Sequence, residues 1–188
     1  VVVDSGCGEG YYTAGIFNRL TAAGKKPTIA GIDLSKFALR WAAKRQKEIE
    51  FAVASAYHLP VADRQADLFL NCFSPLALDE VRRVLKPGGT FLYVVPAARH
   101  LWELKAVLYE HPYLNVEERT PYAGFRYQEV QRVEKTIHLP DQQTVQDLFR
   151  MTPYCWKTPG KGKAKLEQLT ELDVQTQFDI HVFMREEE

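Results

Sequence analysis

The 188 residues carry 24 basic and 24 acidic side chains, a formal net charge of zero, with 46% hydrophobic and 26% charged residues. This is an ordinary globular composition, long enough for one domain with a full core and short for two. It excludes a low-complexity chain, and no apolar run approaches the roughly 20 residues that span a bilayer, so neither a membrane segment nor a signal peptide is expected. Zero net charge gives no global footprint for nucleic acid, so any such binding must rest on local patches. The cysteines Cys7, Cys72 and Cys155 are scattered and lack CxxC spacing. They offer neither a disulfide framework nor a zinc site and fit a reduced, cytoplasmic setting. The chain opens without Met on Val1-Val2-Val3, already a buried-type strand. It is therefore read as a fragment lacking an N-terminal segment, with residues 1–188 forming one domain.

In chain order, Val1 to Asp4 is a short apolar run that stops at glycines, as a buried parallel strand does. Tyr12, Ile16, Phe17 and Leu20 then recur at helical spacing from Gly10 to about Ala23. Thr28 to Asp33 reads as a second strand, followed by a helix over Lys36 to Gln46. Glu50 to Ala54 and Ala66 to Asn71 read as the third and fourth strands. A short helix over Asp79 to Leu85 is expected to end at Pro87-Gly88-Gly89, before a fifth strand from Thr90 to Val95. Leu101 to Tyr109 is again helical. This order argues a doubly wound, mostly parallel sheet with helices on both faces.

The last third has a different texture. Tyr127 to Leu139 and Leu172 to Met184 are long and rich in β-branched and aromatic residues, with period-two alternation. A helix over Asp141 to Met151 lies between them. Two such strands suit an antiparallel addition at one edge, giving seven strands in all. Lys157 to Lys165 (KTPGKGKAK) reads as a turn-rich basic surface segment, and Glu186 to Glu188 as an acidic tail.

The chemistry concentrates in Asp4-Ser5-Gly6-Cys7-Gly8-Glu9-Gly10. Glycines between a strand and a helix let the backbone approach a ligand, since they lack Cβ and tolerate positive φ. Alone, this could be a plain turn or a nucleotide phosphate loop. The GxGxG spacing after Asp4, however, resembles the first motif of class I methyltransferases, whose turn accommodates the amino-acid portion of S-adenosylmethionine. Asp33 ends the second strand, where a carboxylate can accept hydrogen bonds from ribose hydroxyls, or else cap the next helix as Ser35 could. Val53-Ala54-Ser55-Ala56-Tyr57-His58-Leu59-Pro60 resembles the segment flanking the adenine, with Ser55 where many relatives have Asp. Val84-Leu85-Lys86-Pro87-Gly88-Gly89 resembles the turn before the fifth strand. Four motifs in this order imply a Rossmann-like class I fold and S-adenosylmethionine as cofactor.

Gly6 to Thr13, Arg99-His100-Leu101 with Glu103-Leu104-Lys105, and Met151-Thr152-Pro153-Tyr154 with Trp156 are similar to the bacterial 23S rRNA (guanine-N1)-methyltransferases. Gln175-Thr176, Phe178-Asp179 and Ile180-His181 extend that likeness over nearly the whole chain. Ser5 departs from the usual aliphatic residue, and the family's N-terminal zinc-binding module, which helps hold the RNA, is not here. Zinc is expected only in that missing module, and no metal site in this chain. The resemblance implies methyl transfer to N1 of a guanine in a 23S ribosomal RNA hairpin loop. It places cofactor contacts at Asp4, Gly6, Gly8, Glu9, Gly10, Asp33, Ser55, Ala56 and His100.

An acceptor base would meet residues after the fourth strand. Phe73 could stack on it or pack in the core, and Asn71 or Ser74 could bond its edge. Cys72 is read as structural, and no catalytic base is named. His100 could instead be a helix N-terminal residue without a ligand. Arg99 could pair with a phosphate or face solvent. Tyr154 and Trp156 could form an RNA-facing platform or be buried, and Lys157, Lys161, Lys163 and Lys165 could touch phosphates or merely be solvated. The other readings are a methyltransferase of a small metabolite and a non-catalytic S-adenosylmethionine-binding module. No membrane partner is expected, and a homodimer stays open.

Overall fold

A computed structural model describes residues 1–117 and 121–187; Glu188, the last residue of the acidic tail, lies outside the described residues. The elements are β1 (Val2–Ser5), α1 (Tyr11–Ala22), β2 (Ile29–Asp33), α2 (Lys36–Arg45), β3 (Glu50–Val53), β4 (Ala66–Cys72) and α3 (Leu78–Val84). They continue with β5 (Leu85–Pro96), α4 (Trp102–Leu108), β6 (Phe125–Leu139), α5 (Gln142–Arg150), α6 (Tyr154–Lys157), α7 (Gly160–Glu167) and β7 (Leu172–Arg185). The seven strands are ordered β3-β2-β1-β4-β5-β7-β6. The pairs β1–β2, β1–β4, β2–β3 and β4–β5 are parallel, and β7 runs antiparallel. The expected doubly wound, mostly parallel sheet with an antiparallel addition is thus observed.

The chain divides into two compact units. Among the described residues the first comprises 1–95, 121–131 and 180–187. Side chains alternate across a strand, so neighbouring residues of β1 serve opposite faces. Val2 packs with Phe17 of α1, Ile29 and Ile49. Val3 packs instead with Ile32, Phe69, Phe91 and, from α3, Val81 and Val84. With both faces covered, these strands must be apolar throughout, which is why they read as continuous runs. The second unit, residues 96–117 and 132–179, has its own core of Leu101, Leu104 and Leu108 from α4, Val145 and Phe149 from α5, Leu166 from α7, Leu139 and Val174.

Two expectations need correction. Pro87-Gly88-Gly89 does not end the helix: α3 stops at Val84 and β5 begins at once, with Leu85 paired to Ala66. The register then jumps, so that Thr90 pairs with Leu68, and the intervening residues bulge outward through Gly88 at φ 73°. Three extra residues on one strand are a bulge, which the Pro and Gly accommodate without breaking the strand. The segment Lys157 to Lys165 is not a turn-rich loop either. It contains the end of α6 and most of α7, whose Gly162 and Leu166 are buried four residues apart while Lys161, Lys163 and Lys165 face out.

Candidate cofactor and acceptor site

In the first unit the chain runs β1–β2–β3 toward one edge and then returns through β4 toward the other. Open α/β sheets bind ligands at such a switch point, beyond the carboxyl ends of the strands. The loop Asp4–Gly10 leaves β1 there. Gly6 N–H and Cys7 N–H donate to Ile32 O (2.7 and 3.1 Å), and Gly10 N–H to Cys7 O (2.9 Å), which curls the loop over the end of β2. Gly6, Gly8 and Gly10 all have positive φ. A Cβ on Gly6 would lie 2.3 Å from Ser74 Cβ, whereas one on Gly8 would meet nothing within 4 Å. Gly6 is required by the loop after β4; Gly8 leaves its side of the loop open.

Asp33 uses both carboxylate oxygens locally. Oδ2 accepts from Gly8 N–H (2.8 Å) and Oδ1 from Ser35 N–H (2.7 Å). The helix cap itself is Ser35, whose Oγ accepts from Ala38 N–H. Each carboxylate oxygen has a second lone pair, so Asp33 shapes the loop and keeps acceptor capacity. Asp4 is 2% exposed; its Oδ2 accepts from Thr13 Oγ1 (2.6 Å), and its Oδ1 is buried without a partner. Burial pushes its pKa up to about 6; the Thr13 hydrogen bond opposes this and the nearby Asp33 charge adds to it.

A cleft of about 320 Å³ is lined by Asp4, Gly6, Cys7, Glu9, Tyr11, Tyr12, Arg45, Cys72 and Phe73. Phe73 is 49% exposed and held at φ 59°, a strained backbone for an aromatic residue that turns the chain out of β4. The core-packing alternative for Phe73 therefore does not hold. Its neighbours secure the turn: Ser74 Oγ donates to Ser5 O (2.8 Å), and the buried Asn71 donates through Nδ2 to Pro75 O (3.0 Å). Burial drives the Cys7 and Cys72 thiols up to about 12, so neither is a thiolate nucleophile. Ser55 sits in the turn after β3, with Oγ accepting from Tyr57 N–H and its carbonyl from His58 N–H. Ser55 and the half-buried Ala56 are not among the residues lining this cleft.

Tyr11, Tyr12, Thr13 and Arg45 were not expected as site residues. The first three follow the glycine loop directly, a position that could have signalled them. Arg45 is 36 residues from Glu9, yet its Nε donates to Glu9 O (3.1 Å) and its guanidinium lies 5.6 Å from the Tyr11 ring. Only the packing of α1 against α2 makes that contact, and no local pattern reveals it.

In the second unit, His100 Nδ1 accepts from Gln177 N–H (3.2 Å), and the ring packs 4.5 Å from that of Phe178. Burial and the Lys105 charge lower its pKa to about 4, so the ring is neutral, with its proton on Nε2. Gln177 also accepts from Ala97 N–H through its carbonyl and from Arg99 N–H through Oε1. Arg99 is exposed, 5.3 Å from the Trp102 ring. Trp156 is 88% exposed, which removes its burial alternative, while Tyr154 is half-buried against Tyr109. Among the described residues no group of His, Cys, Asp or Glu could hold a metal, and no helix is long and apolar enough to cross a membrane.

The family model described as "Methyltransferase domain" matches residues 1–173. Over 191 residues the chain is 35% identical to a Bacillus subtilis (strain 168) protein named "Putative 23S rRNA (guanine-N(1)-)-methyltransferase YxjB", covering 98% of this chain and 66% of that protein. It is 29% identical over 162 residues to the malonyl-[acyl-carrier protein] O-methyltransferase of Serratia marcescens, covering 77% of this chain and 60% of that one. It thus spans less than two thirds of the length of either curated relative. The YcgJ protein of Bacillus subtilis superposes with a TM-score of 0.63 at 19% identity, covering 100% of this chain and 92% of the other, a likeness of fold. With a family match over nearly its full length and the fold to go with it, the chain belongs to the class I methyltransferase domains.

Proposed function

We propose that this chain transfers the methyl group of S-adenosylmethionine to N1 of a guanine in a hairpin loop of 23S ribosomal RNA. The observation that carries the acceptor is the similarity to YxjB along 98% of the chain. A methyltransferase domain implies S-adenosylmethionine, which supplies an electrophilic methyl on a sulfonium. The cleft fits that donor. Asp4 Oδ1 is a buried acceptor lacking a partner, suited to an ammonium group, and the open side of Gly8 admits a ligand against the backbone. Gly6 and Glu9 line the same cleft; Gly10, which closes the loop against Ala42, Asp33, which retains acceptor capacity for hydroxyls, and Ser55, Ala56 and His100 are the further proposed contacts.

Guanine N1 carries a proton at neutral pH and must give it up to solvent as the N–CH₃ bond forms and the S–CH₃ bond breaks, leaving the thioether S-adenosylhomocysteine. What the residues contribute is placement, since alignment of two reactants supplies large effective molarities. A base drawn from a loop needs a flat apolar surface to replace its stacking. Phe73 provides one at the end of β4, fixed by the Ser74 and Asn71 bonds, with Tyr11 and Tyr12 on the same cleft.

The test is incubation with labelled S-adenosylmethionine and 23S rRNA, followed by primer extension and nucleoside analysis. A single extension stop at a loop guanine, with 1-methylguanosine in the digest, is expected. Label in an acyl thioester or another small metabolite, with no stop in the RNA, would overturn the proposal in favour of the small-molecule reading.

A further inference from the structure

The helix α2 has two apolar stripes. Leu39 and Ala42 are buried against the sheet. On the outer side Phe37 and Trp41, four residues apart, are 71% and 51% exposed. Residues at that spacing lie one above the other on a helix surface. Around them stand Lys36, Arg40, Lys44 and Arg45, all exposed, and the helix contains no acidic residue. Lys44 Nζ lies 4.8 Å from the Trp41 ring centre. Arg45 belongs both to this helix and to the wall of the cleft, where Glu9 is its partner at 3.5 Å.

We propose that the outer face of α2 is a docking surface for single-stranded RNA beside the loop guanine, a reading that rests on the RNA-methylating function above. The charge pattern selects this occupant. Four cations on ten residues, in a chain of zero net charge, form the kind of local patch that a polyanion needs. Exposed flat rings among such cations are what splayed bases stack on. A symmetric contact with a second copy would instead set four cations against four. The continuity through Arg45 gives the strand a path: bases on Phe37 and Trp41, phosphates at Arg40 and Lys44, and the target base in the cleft with Tyr11, Tyr12 and Phe73.

The test measures binding of a labelled rRNA hairpin by fluorescence anisotropy across a salt series, using Trp41→Ala, Phe37→Ala and the double variant Arg40→Ala/Lys44→Ala. Each aromatic variant is expected to weaken RNA binding about tenfold. The double variant is expected to reduce the slope of log affinity against log salt by about 1.4, two single-strand phosphate contacts. S-adenosylmethionine affinity and thermal unfolding should match wild type, because none of the four side chains lines the cleft or the core. Wild-type RNA affinity and salt slope in all variants would overturn the proposal. So would loss of self-association with RNA binding intact, which would make the face a contact between copies. The two proposals fail separately. Methylation that survives with α2 irrelevant to binding removes only this one, whereas weakened binding without any methylated guanine removes the other.

Discussion

Asp4 is a buried carboxyl at the head of the glycine loop, and its proton affinity is displaced from the ordinary carboxylate range. Burial of the Asp4 carboxyl favours its neutral form and outweighs the Thr13 hydrogen bond, which is why its pKa rises from 3.8 to about 6. A raised folded-state pKa means that the folded protein holds the proton more tightly than the unfolded chain. The associated stability is fully present below pH 3.8 and is lost as pH rises through about 6. Asp4→Asn cannot titrate, so the unfolding free energy of wild type relative to this variant should fall between about pH 4 and 6. The expected drop is on the order of 2–3 kcal/mol, read from denaturant unfolding at several pH values. Curves that stay parallel would show that the carboxyl is not buried as described. The same variant should bind S-adenosylmethionine at least tenfold more weakly at pH 8, since it presents no anion. The protein thus holds at its glycine loop a group whose burial opposes folding above about pH 6, a trade found at functional sites.

At the scale of elements, α7 shows where pattern reading runs out. The central strands β1, β2 and β4 were legible because burial on both faces makes them largely apolar. α7 buries only Gly162 and Leu166, and a segment with two glycines and three lysines among its eight residues looks like a loop to any reading based on composition. Its reason is steric: a Cβ on Gly162 would sit 2.2 Å from Leu108 O of α4. Gly162→Ala therefore opposes two effects. Alanine favours a helix by about 1 kcal/mol, while overpacking against a backbone carbonyl costs about 1–3 kcal/mol. The clash should win, because Leu108 O and C are main-chain atoms, not the end of a flexible side chain, and relief requires the backbone to shift. The expected result is a melting temperature lowered by up to about 8 °C; a rise would mean that α7 is not docked on α4. The cleft shows the same division. Asp4, Gly6 and Glu9 were readable because a strand-to-helix turn needs glycines in sequence. Arg45 reaches Glu9 only through helix packing, and the positive φ of Phe73 has no local signature, so its exposure was not legible.

For the molecule as a whole, two separate cores mean that ligand binding need not be felt everywhere. A ligand that binds only the folded state stabilises it by about 2.7 kcal/mol at a hundred times its Kd. Amide exchange shows where that stabilisation is expressed, because amides report the local openings that the ligand suppresses. S-adenosylhomocysteine, the demethylated product, should slow exchange about ten- to a hundredfold in peptides covering Val2–Tyr12 and Asn71–Ser74, the walls of the cleft. Peptides from α5 and α7, around Val145 and Leu166 in the second core, should exchange as in the free protein. The segment Ala97–Trp102 decides the role of His100. Its amides are already bonded to Gln177 and its neighbours, and the neutral ring has Nδ1 occupied by Gln177 N–H, leaving Nε2–H as a donor. If His100 is used by the cofactor, exchange in Ala97–Trp102 slows when the product binds. Protection of Asp4–Gly10 with none at Ala97–Trp102 would instead make His100 a fastener of β7, with no part in holding the donor.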